Sequence, residues 1–313
     1  MRIVAADDIQ KVLTYRALIE ALGDAFRSDI TVPVRHHHTI PTAGADATLL
    51  LMPAWREDGE RFIGCKIVTV FPDNAKAQRP SVYGQYLLMS GDTGEPLAMM
   101  DGRALTVWRT SCASALAAQY LAREDSSHLV MVGAGALAPH LIRAHLSVRP
   151  IKRVTLWNRT RARAVALGFG IAVAGIEVDI AETLEEAVRE ADIVSCATLA
   201  PAPLIQGAWL KKGAHLDLVG GFTPKMREAD DRAVKRARIF VDTRAAAKEA
   251  GDIVVPLKKK IIEPNAIKGD LFDLTRGKVR GRTSASQITL FKSVGTAIED
   301  LAAAMLVWKE LTA

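Results

Sequence analysis

The feature that most constrains the fold is the segment VGAGALA at positions 132–138. It supplies Gly133, Gly135 and Ala138 in a G-x-G-x-x-A arrangement. In this arrangement the first glycine makes a tight turn, the second lets the backbone approach a pyrophosphate, and the small third residue lets a helix pack on a strand. The motif follows a strand predicted over 128–132 and opens a predicted helix, which is the context that a dinucleotide site requires. It therefore predicts a dinucleotide-binding unit, and the alternative is an ordinary strand-to-helix turn.

The chain after this motif alternates apolar, strand-like runs with helical stretches. The strand-like runs are RVTLWNRT, ADIVSCAT, AHLDLVGG and ARIFVDT. Such alternation predicts right-handed βαβ units and a parallel sheet. We therefore predict an α/β protein with a Rossmann domain over residues 118–294.

The first third of the chain has a different pattern. TYRALIEALGDAF, residues 14–26, has apolar residues at helical spacing, and the runs RFIGCKIVTVF, SVYGQYLLMS and PLAMMDG are strand-like, the last two separated by the turn GDTG. Short strand-like runs separated by a tight turn predict a largely antiparallel sheet. Residues 289–311 predict one long amphipathic helix that packs on this part of the chain. We therefore predict an α+β domain over residues 1–117, completed by a C-terminal helix over 295–313.

Composition excludes several classes of protein. The formal charge of +6 is spread along the chain and aromatic residues are only 5%, whereas a nucleic-acid protein concentrates basic and aromatic residues on one surface. A small anionic substrate or cofactor explains the modest basic excess better. No uncharged apolar run is long enough to cross a bilayer. We therefore predict no nucleic-acid partner and no membrane association.

Cysteine usage and the N-terminus indicate a cytoplasmic protein. Cys65, Cys112 and Cys196 are isolated and lack C-x-x-C spacing, so neither a disulfide framework nor a zinc site is indicated. The start MRIVAADD contains acidic residues too early for a signal peptide. The three consecutive histidines, 36–38, alternate between faces of an extended chain and have no acidic or cysteine companions at ligand spacing. We therefore predict no metal.

The residues after the second predicted strand of the Rossmann domain indicate which dinucleotide binds. An NAD site carries an acidic residue there, about 20 positions after the glycines, for the ribose 2′-hydroxyl. This chain has Asn158, Arg159 and Thr160 instead. An arginine can hydrogen-bond a 2′-phosphate and Thr160 can add a hydroxyl. NADP(H) is therefore preferred, NAD(H) remains possible, and the alternative is that these are solvated surface residues.

Three cations precede the glycine motif: Arg35, Lys66 and Arg109. Lys66 lies within the strand-like run GCKIVTVFPDN, where a charge among apolar neighbours must find a partner or face a cavity. Each cation alone is more often a surface or ion-paired residue. Together the three could hold a carboxylate. Ser111, Cys112 and Ser114 lack a recognisable base at a known spacing, so nucleophilic catalysis is not indicated.

Several longer motifs match one family. GCKIVTVFPDN, GDTGEPLAMMDG, ALTVWRTSCASALAA, VGAGALA and ITLFKSVGTAIEDLAAA resemble, in order and along nearly the full chain, the ornithine cyclodeaminase and mu-crystallin family. The resemblance implies a homodimer. It also implies a substrate-binding and dimerisation domain formed by the N-terminal part and the last helix, with a Rossmann domain between them.

The resemblance also implies roles for single residues. Arg35, Lys66 and Arg109 would hold the substrate carboxylate. The cofactor would contact Gly133, Gly135, Ala136, Leu137, Asn158, Arg159, Thr160 and Ser293. We add Ser81, Thr110 and Thr198 to the cofactor site, Leu50, Phe222 and Val294 to the substrate site, and Lys66 as the catalytic candidate nearest the reacting nitrogen or the carboxylate.

Two positions depart from the cyclodeaminase pattern. Where those enzymes carry an Asp that handles protons, the segment VGGFTPKMREAD has Phe222, and where they carry a Glu for the ornithine side-chain amine, this chain has Leu50. An apolar pair would leave a distal ammonium desolvated and unpaired, at a cost of several kcal/mol. It suits the methylenes of a small ring.

The resemblance and these departures together predict a ketimine reductase. The substrate would be Δ1-pyrroline-2-carboxylate or Δ1-piperideine-2-carboxylate, reduced to L-proline or L-pipecolate. Three alternatives stay open: an ornithine cyclodeaminase in which Asp73 or Glu228 replaces the missing carboxylates, an alanine-type dehydrogenase, and a non-catalytic binder of NADPH and a small ligand that resembles mu-crystallin.

Overall fold

The structure, a computed structural model, describes residues 1–171 and 175–313. In chain order its helices and strands are β1 Arg2–Val4, α1 Ala6–Val12, α2 Tyr15–Arg27, β2 Ile30–Thr31, β3 His36–Ile40, β4 Ala47–Arg56, β5 Phe62–Val70, β6 Val82–Ser90, β7 Pro96–Asp101, α3 Gly102–Leu121, β8 His128–Val132, α4 Ala138–Val148, β9 Arg153–Trp157, α5 Arg161–Phe169, β10 Glu177–Ile180, α6 Leu184–Glu190, β11 Ile193–Cys196, β12 His215–Leu218, α7 Asp231–Arg236, β13 Arg238–Val241, α8 Ala246–Glu249, α9 Gly251–Lys258, β14 Ile267–Asp270, α10 Leu271–Thr275, β15 Thr289–Lys292 and α11 Ala297–Thr312. Short 3₁₀ turns cover Pro72–Ala77 and Pro264–Ala266.

The chain divides into two compact units. Unit 1 consists of Met1–Arg109 and Thr296–Ala313, and unit 2 of Thr110–Gly295. The boundary between them falls inside α3, whereas the sequence pattern places it at 117/118. The helix is continuous and rich in small residues on both sides of that point, so no local change of pattern marks it.

Unit 1 contains a seven-stranded sheet. Its order is β1-β7-β6-β5-β4-β2, and β3 also pairs with β4. Strand β1 runs parallel to β7 and the other pairs are antiparallel. Along β5 the residues from Phe62 to Lys66 alternate between buried and half-buried positions, as expected for a strand with one covered face. The predicted antiparallel sheet is therefore confirmed.

Helices cover one face of this sheet. The α2 helix starts at Thr14, whose hydroxyl accepts a hydrogen bond from Ala17 N, and it buries Leu18, Leu22 and Phe26. The terminal helix α11 packs on α2 and on strands β4, β5 and β6. The helix predicted over 14–26 and the packing predicted for the last helix are both confirmed.

The prediction of one long helix over 289–311 is wrong in its first part. Thr289–Lys292 forms the buried strand β15, and the helix begins only at Ala297. A short apolar run fits a buried strand and a buried helix equally well by periodicity. The pairing of β15 with both β12 and β13 decides in favour of a strand, and Gly295, at a φ of 79°, turns the chain before the helix.

Unit 2 contains an eight-stranded parallel sheet of order β10-β9-β8-β11-β12-β15-β13-β14. Hydrophobic clusters lie on both of its faces, with Val130 and Val132 of β8 in one and Leu129 and Met131 in the other. A strand buried on both faces is typical of a doubly wound α/β sheet. The predicted α/β fold with a Rossmann domain is confirmed. Within residues 1–171 and 175–313, no helix is long and apolar enough to cross a membrane.

Candidate active site

The glycine loop connects β8 to α4 in unit 2. Gly133 has a φ of 108°, and a Cβ there would lie 2.6 Å from Ala197 O, so only glycine fits without strain. A Cβ at Gly135 would meet no heavy atom within 4 Å, so this side of the loop is open to a ligand. Ala138 is fully buried at the first turn of α4. The N-terminus of a helix suits an anion such as a pyrophosphate.

A cavity of about 510 Å³ lies at the carboxyl ends of β8, β9 and β11. The strand order reverses between β8 and β11, and dinucleotides bind at such a switch point in Rossmann sheets. The residues that line the cavity are Gly133, Ala134, Gly135, Trp157, Asn158, Arg159, Thr160, Arg163, Ala197, Thr198, Leu199, Ala200, Pro201, Ala202 and Leu204. The position and the lining of the cavity therefore fit a dinucleotide.

The segment after β9 gives this cavity a positive end. Asn158 accepts a hydrogen bond from Ala134 N at 3.2 Å and donates one to Thr160 O at 2.9 Å, so it holds this segment against the glycine loop. The charged side chains among the lining residues are Arg159 and Arg163. Arg163 was not predicted, although its position three residues after Thr160, one turn into α5, could have indicated it. An anionic group such as a phosphate suits this end.

The structure brings together most of the predicted cofactor residues. Gly133, Gly135, Asn158, Arg159, Thr160 and Thr198 all line the cavity. Ala136 and Leu137 lie in the turn just before α4. Ser293 is buried and donates a hydrogen bond to Asp242, which also accepts from Val294 N. Thr110 is buried in α3, and Ser81 is half-buried in unit 1. Ala136, Leu137, Ser293, Thr110 and Ser81 are not among the lining residues. The cofactor role of all eleven residues stays a prediction.

A buried group of four charges lies in unit 1. Lys66 Nζ is 2.9 Å from Asp300 Oδ1 and 2.7 Å from Oδ2. Arg109 donates from Nε to Asp300 Oδ1 at 3.0 Å and from Nη1 to Glu299 Oε2 at 2.7 Å. Lys66 and Arg109 are only 3% and 5% exposed. We call Lys66 and Arg109 the cation pair, and Asp300 is the residue that bridges them.

Burial controls the proton affinity of this group. Desolvation lowers the pKa of Lys66 to about 8, with the positive charge of Arg109 acting in the same direction and Asp300 opposing both. Burial also raises the pKa of the Tyr86 hydroxyl well above its ordinary value. Tyr86 pairs with Lys66 across β5 and β6, and its ring fits because position 64 is glycine, where a Cβ would lie 1.9 Å from the hydroxyl. Because its pKa is about 8, Lys66 can gain or lose a proton near neutral pH.

Strand register places one further predicted residue near Lys66. Met52 of β4 is the direct partner of Lys66, and Leu50 lies two residues away on the same face of the sheet. Arg35 directly precedes β3, whose first residue, His36, pairs with Leu51. The register groups Leu50 and Lys66 on one surface, and the grouping of Arg35 with them stays a prediction.

Phe222 lies in the loop after β12 in unit 2. Its side chain is exposed, at 52%, and its backbone N–H donates to Gly220 O at 3.1 Å. A carboxylate, Glu228, does lie close to this loop, but it is fully buried and accepts a hydrogen bond from Gly220 N at 2.8 Å. Phe222 itself therefore offers no titratable group, and its assignment to the substrate site stays a prediction.

The other reactive side chains fit structural roles. Burial raises the pKa of the Cys112 thiol far above its ordinary value, and Ser114 donates a hydrogen bond to the fully buried Asp217. The part of the chain that the structure describes contains no group of three or more His, Cys, Asp or Glu side chains that could hold a metal. His36, His37 and His38 are exposed on β3.

The fold and the site define a dinucleotide-binding α/β oxidoreductase. The sequence profile of the ornithine cyclodeaminase/mu-crystallin family matches residues 2–313. The chain belongs to this family.

Three proteins illustrate which members of the family this chain is similar to. The Delta(1)-pyrroline-2-carboxylate reductase of Colwellia psychrerythraea is 38% identical over 317 residues, which cover 99% of each chain. The structure of the Thermococcus litoralis Delta(1)-pyrroline-2-carboxylate reductase in complex with NADH and L-proline has a TM-score of 0.93 and 32% identity, covering 100% of this chain and 98% of the other. An archaeal alanine dehydrogenase dimer with bound NAD has a TM-score of 0.91 and 28% identity, covering 100% of this chain and 96% of the other.

Proposed function

We propose that this protein is an NAD(P)H-dependent reductase of cyclic imine carboxylates. The substrate is Δ1-pyrroline-2-carboxylate or Δ1-piperideine-2-carboxylate, and the product is L-proline or L-pipecolate. The observation that carries the proposal is the buried cation pair, of which Lys66 lies on the same sheet face as the apolar Leu50. Such a surface suits a carboxylate attached to a hydrocarbon ring. The two similar reductases that act on Δ1-pyrroline-2-carboxylate support the same substrate class.

The cation pair binds and orients the substrate carboxylate. Within the described residues, the hydrogen bond that Lys66 Nζ donates goes to Asp300, and an ammonium carries three donors. Asp300 and Glu299 keep both cations charged and fixed, so that a carboxylate meets donors already in position. Preorganised donors of this kind contribute to catalysis because they need no rearrangement when the substrate binds.

Lys66 also serves the proton balance of the reaction. When bound, NAD(P)H supplies a hydride to the imine carbon, and the imine nitrogen must carry a proton for that carbon to be electrophilic. Lys66, with a pKa of about 8, is mostly protonated at neutral pH and can hold or replace that proton. Leu50, on the same sheet face as Lys66, offers no competing base.

The cyclodeaminase alternative has less support in the structure. Asp73, one candidate replacement, is engaged by Ala45 N and Lys76 in the 3₁₀ turn Pro72–Ala77. Glu228, the other, is fully buried and its oxygens accept backbone hydrogen bonds. A second candidate, an amino-acid dehydrogenase, is favoured by the similarity to the archaeal alanine dehydrogenase.

The proposal also covers the preferred dinucleotide, the oligomeric state and the cellular compartment. Arg159 and Arg163 at one end of the cofactor cavity favour NADP(H) over NAD(H). The dimeric alanine dehydrogenase supports a homodimer. Cys65, Cys112 and Cys196 are thiols, which fits a reducing cytoplasm.

The test is a set of parallel turnover assays. Oxidation of NADPH and of NADH would be measured with Δ1-pyrroline-2-carboxylate, with Δ1-piperideine-2-carboxylate, and with pyruvate plus ammonia. Ammonia release from L-ornithine with NAD would be measured beside them. Rapid oxidation with an imine and no ammonia from ornithine is the expected result. Ammonia from ornithine would establish a cyclodeaminase, ammonia-dependent oxidation with pyruvate a dehydrogenase, and tight NADPH binding without any turnover a non-catalytic binder.

A further inference from the structure

Glu228 joins two loops of unit 2 through one carboxylate. Its Oε1 accepts hydrogen bonds from Thr198 N at 2.7 Å and from the Thr198 hydroxyl at 2.8 Å. Its Oε2 accepts from Gly220 N at 2.8 Å and from Gly221 N at 3.3 Å. Hydrogen bonds to a buried ionised carboxylate are among the strong ones in proteins. The loop after β11 and the loop after β12 are therefore held by the same side chain.

The two loops also touch each other directly. A Cβ at Gly220 would lie 1.9 Å from Thr198 O and 2.3 Å from Thr198 N. Backbone packed this closely cannot shift in one loop without moving the other. Gly220 allows the contact, and Glu228 fixes it.

These loops lie toward one end of the cofactor cavity. Thr198 lines the cavity, and Gly220 and Gly221 directly precede Phe222. In a Rossmann sheet the adenosine ribose binds at the end of the second strand, here β9, so the nicotinamide half extends across the switch point toward β11 and β12. Glu228 thus joins a loop that lines the cavity, through Thr198, to the loop after β12.

Titratable groups from three other elements surround Glu228. Asp252 of α9 accepts hydrogen bonds from Glu228 N and Ala229 N at 2.8 and 3.0 Å. Lys292 of β15 lies 3.7 Å from Asp252 and donates to Leu218 O. Cys196 of β11 faces the same carboxylates, which together with burial raise the pKa of its thiol. Burial raises the pKa of Glu228 to about 7, against the lowering effect of Lys292.

We propose that Glu228 is a positioning residue that holds the loops after β11 and β12 in the arrangement which receives the nicotinamide half of the cofactor. The inference rests on the proposed NAD(P)H-dependent function. Glu228 is buried and does not touch the reacting atoms, so it acts through Thr198 and the Gly220–Gly221 backbone. All four hydrogen bonds are donated to the carboxylate. In Glu228→Gln an amide NH₂ replaces one carboxylate oxygen, so a hydrogen-bond donor faces N–H or O–H groups that are themselves donors.

The test compares Glu228→Gln with Asp192→Asn. Asp192 is a matched control, because it is a buried carboxylate of the same sheet that accepts from Ser127 N and His128 N, but at the opposite edge, where β8 and β11 begin. Binding of NADPH and of 2′-phospho-ADP-ribose, which lacks the nicotinamide, would be titrated directly. Turnover would be measured separately.

Glu228→Gln is expected to weaken NADPH binding about tenfold or more, in line with the loss of hydrogen bonds to a charged group, and to leave the fragment's affinity unchanged. The kcat should fall with little change in the KM of the imine. Unsubstituted protein should bind NADPH less tightly below about pH 7, as Glu228 takes up a proton, and this inflection should be missing in the variant. Asp192→Asn should lower thermal stability only.

Unchanged NADPH affinity and kcat in Glu228→Gln would overturn the proposal, and so would an equal loss of affinity for NADPH and the fragment. If Glu228→Gln does not fold, Thr198→Val, which removes one donor and keeps the side-chain shape, should show the same selective loss on a smaller scale, and its absence would count against the proposal. Failure of unsubstituted protein to bind any dinucleotide would instead refute the proposed function itself.

Discussion

Replacing Arg159 by Asp should move the cofactor preference from NADPH toward NADH. Arg159 lines the cofactor cavity, and its side chain is exposed to solvent. The substitution removes a donor for the 2′-phosphate and supplies an acceptor for the 2′-hydroxyl of NADH. It also changes the charge at this position by two units.

The exposure of Arg159 determines how large the change in cofactor preference should be. Two unit charges 4 Å apart interact by about 1 kcal/mol in bulk water, and a phosphate carries a charge of about −1.5 to −2. Changing the side-chain charge by two units therefore alters the interaction by ~3–4 kcal/mol before screening. Salt and side-chain mobility reduce this to about 2 kcal/mol. The ratio of the NADPH and NADH dissociation constants should therefore change about 30-fold.

The assay is a fluorescence titration of the variant with each reduced dinucleotide at fixed salt. Arg161→Asp is the matched control, because Arg161 is two residues away, exposed and paired with Glu182 at 2.8 Å, but does not line the cavity. The control should leave the ratio within about threefold of its original value, since its charge lies outside the cavity. An unchanged ratio in Arg159→Asp, or equal shifts in both variants, would refute the assignment of Arg159 to the 2′-phosphate.

Four further predictions concern the charges of unit 1. Arg109→Ala should lower kcat/KM for the imine by about 100-fold or more, the scale expected for a buried charged contact, with NADPH affinity retained; unchanged turnover would exclude Arg109 from carboxylate binding. Asp300→Asn should destabilise the fold by roughly 3–5 kcal/mol, because it leaves the two cations with one carboxylate between them, and a loss below about 1 kcal/mol on urea unfolding would contradict the bridging role. The kcat/KM should fall above about pH 8 as Lys66 loses its proton, and Lys66→Met should abolish that inflection. For stability the sign is opposite: the pKa of Lys66 rises from about 8 in the fold to 10.5 when unfolded, so its burial penalty fades as pH rises through that interval, and urea unfolding of the wild type against Lys66→Met would detect it.

The sequence alone determined what depends on near neighbours. The glycine motif, the strand before it and the helix after it were predictable, because the turn geometry is set within about seven residues. The antiparallel sheet of unit 1 and the parallel sheet of unit 2 followed from the spacing of apolar residues and turns. The arginine and the absent acidic residue after β9 were also local features.

Tertiary structure alone decided how distant residues meet. Thr289–Lys292 forms a strand because it pairs with β12 on one side and β13 on the other. The sequence of this segment alone does not indicate that pairing. Lys66 and Arg109 were predictable as unusual cations, but their partner Asp300 is 234 and 191 residues away. Glu228 gave only a weak signal for the same reason, since its main partner, Thr198, lies on another strand's loop. Charge pairing in a core depends on which elements pack together, and that is fixed only when the sheets form.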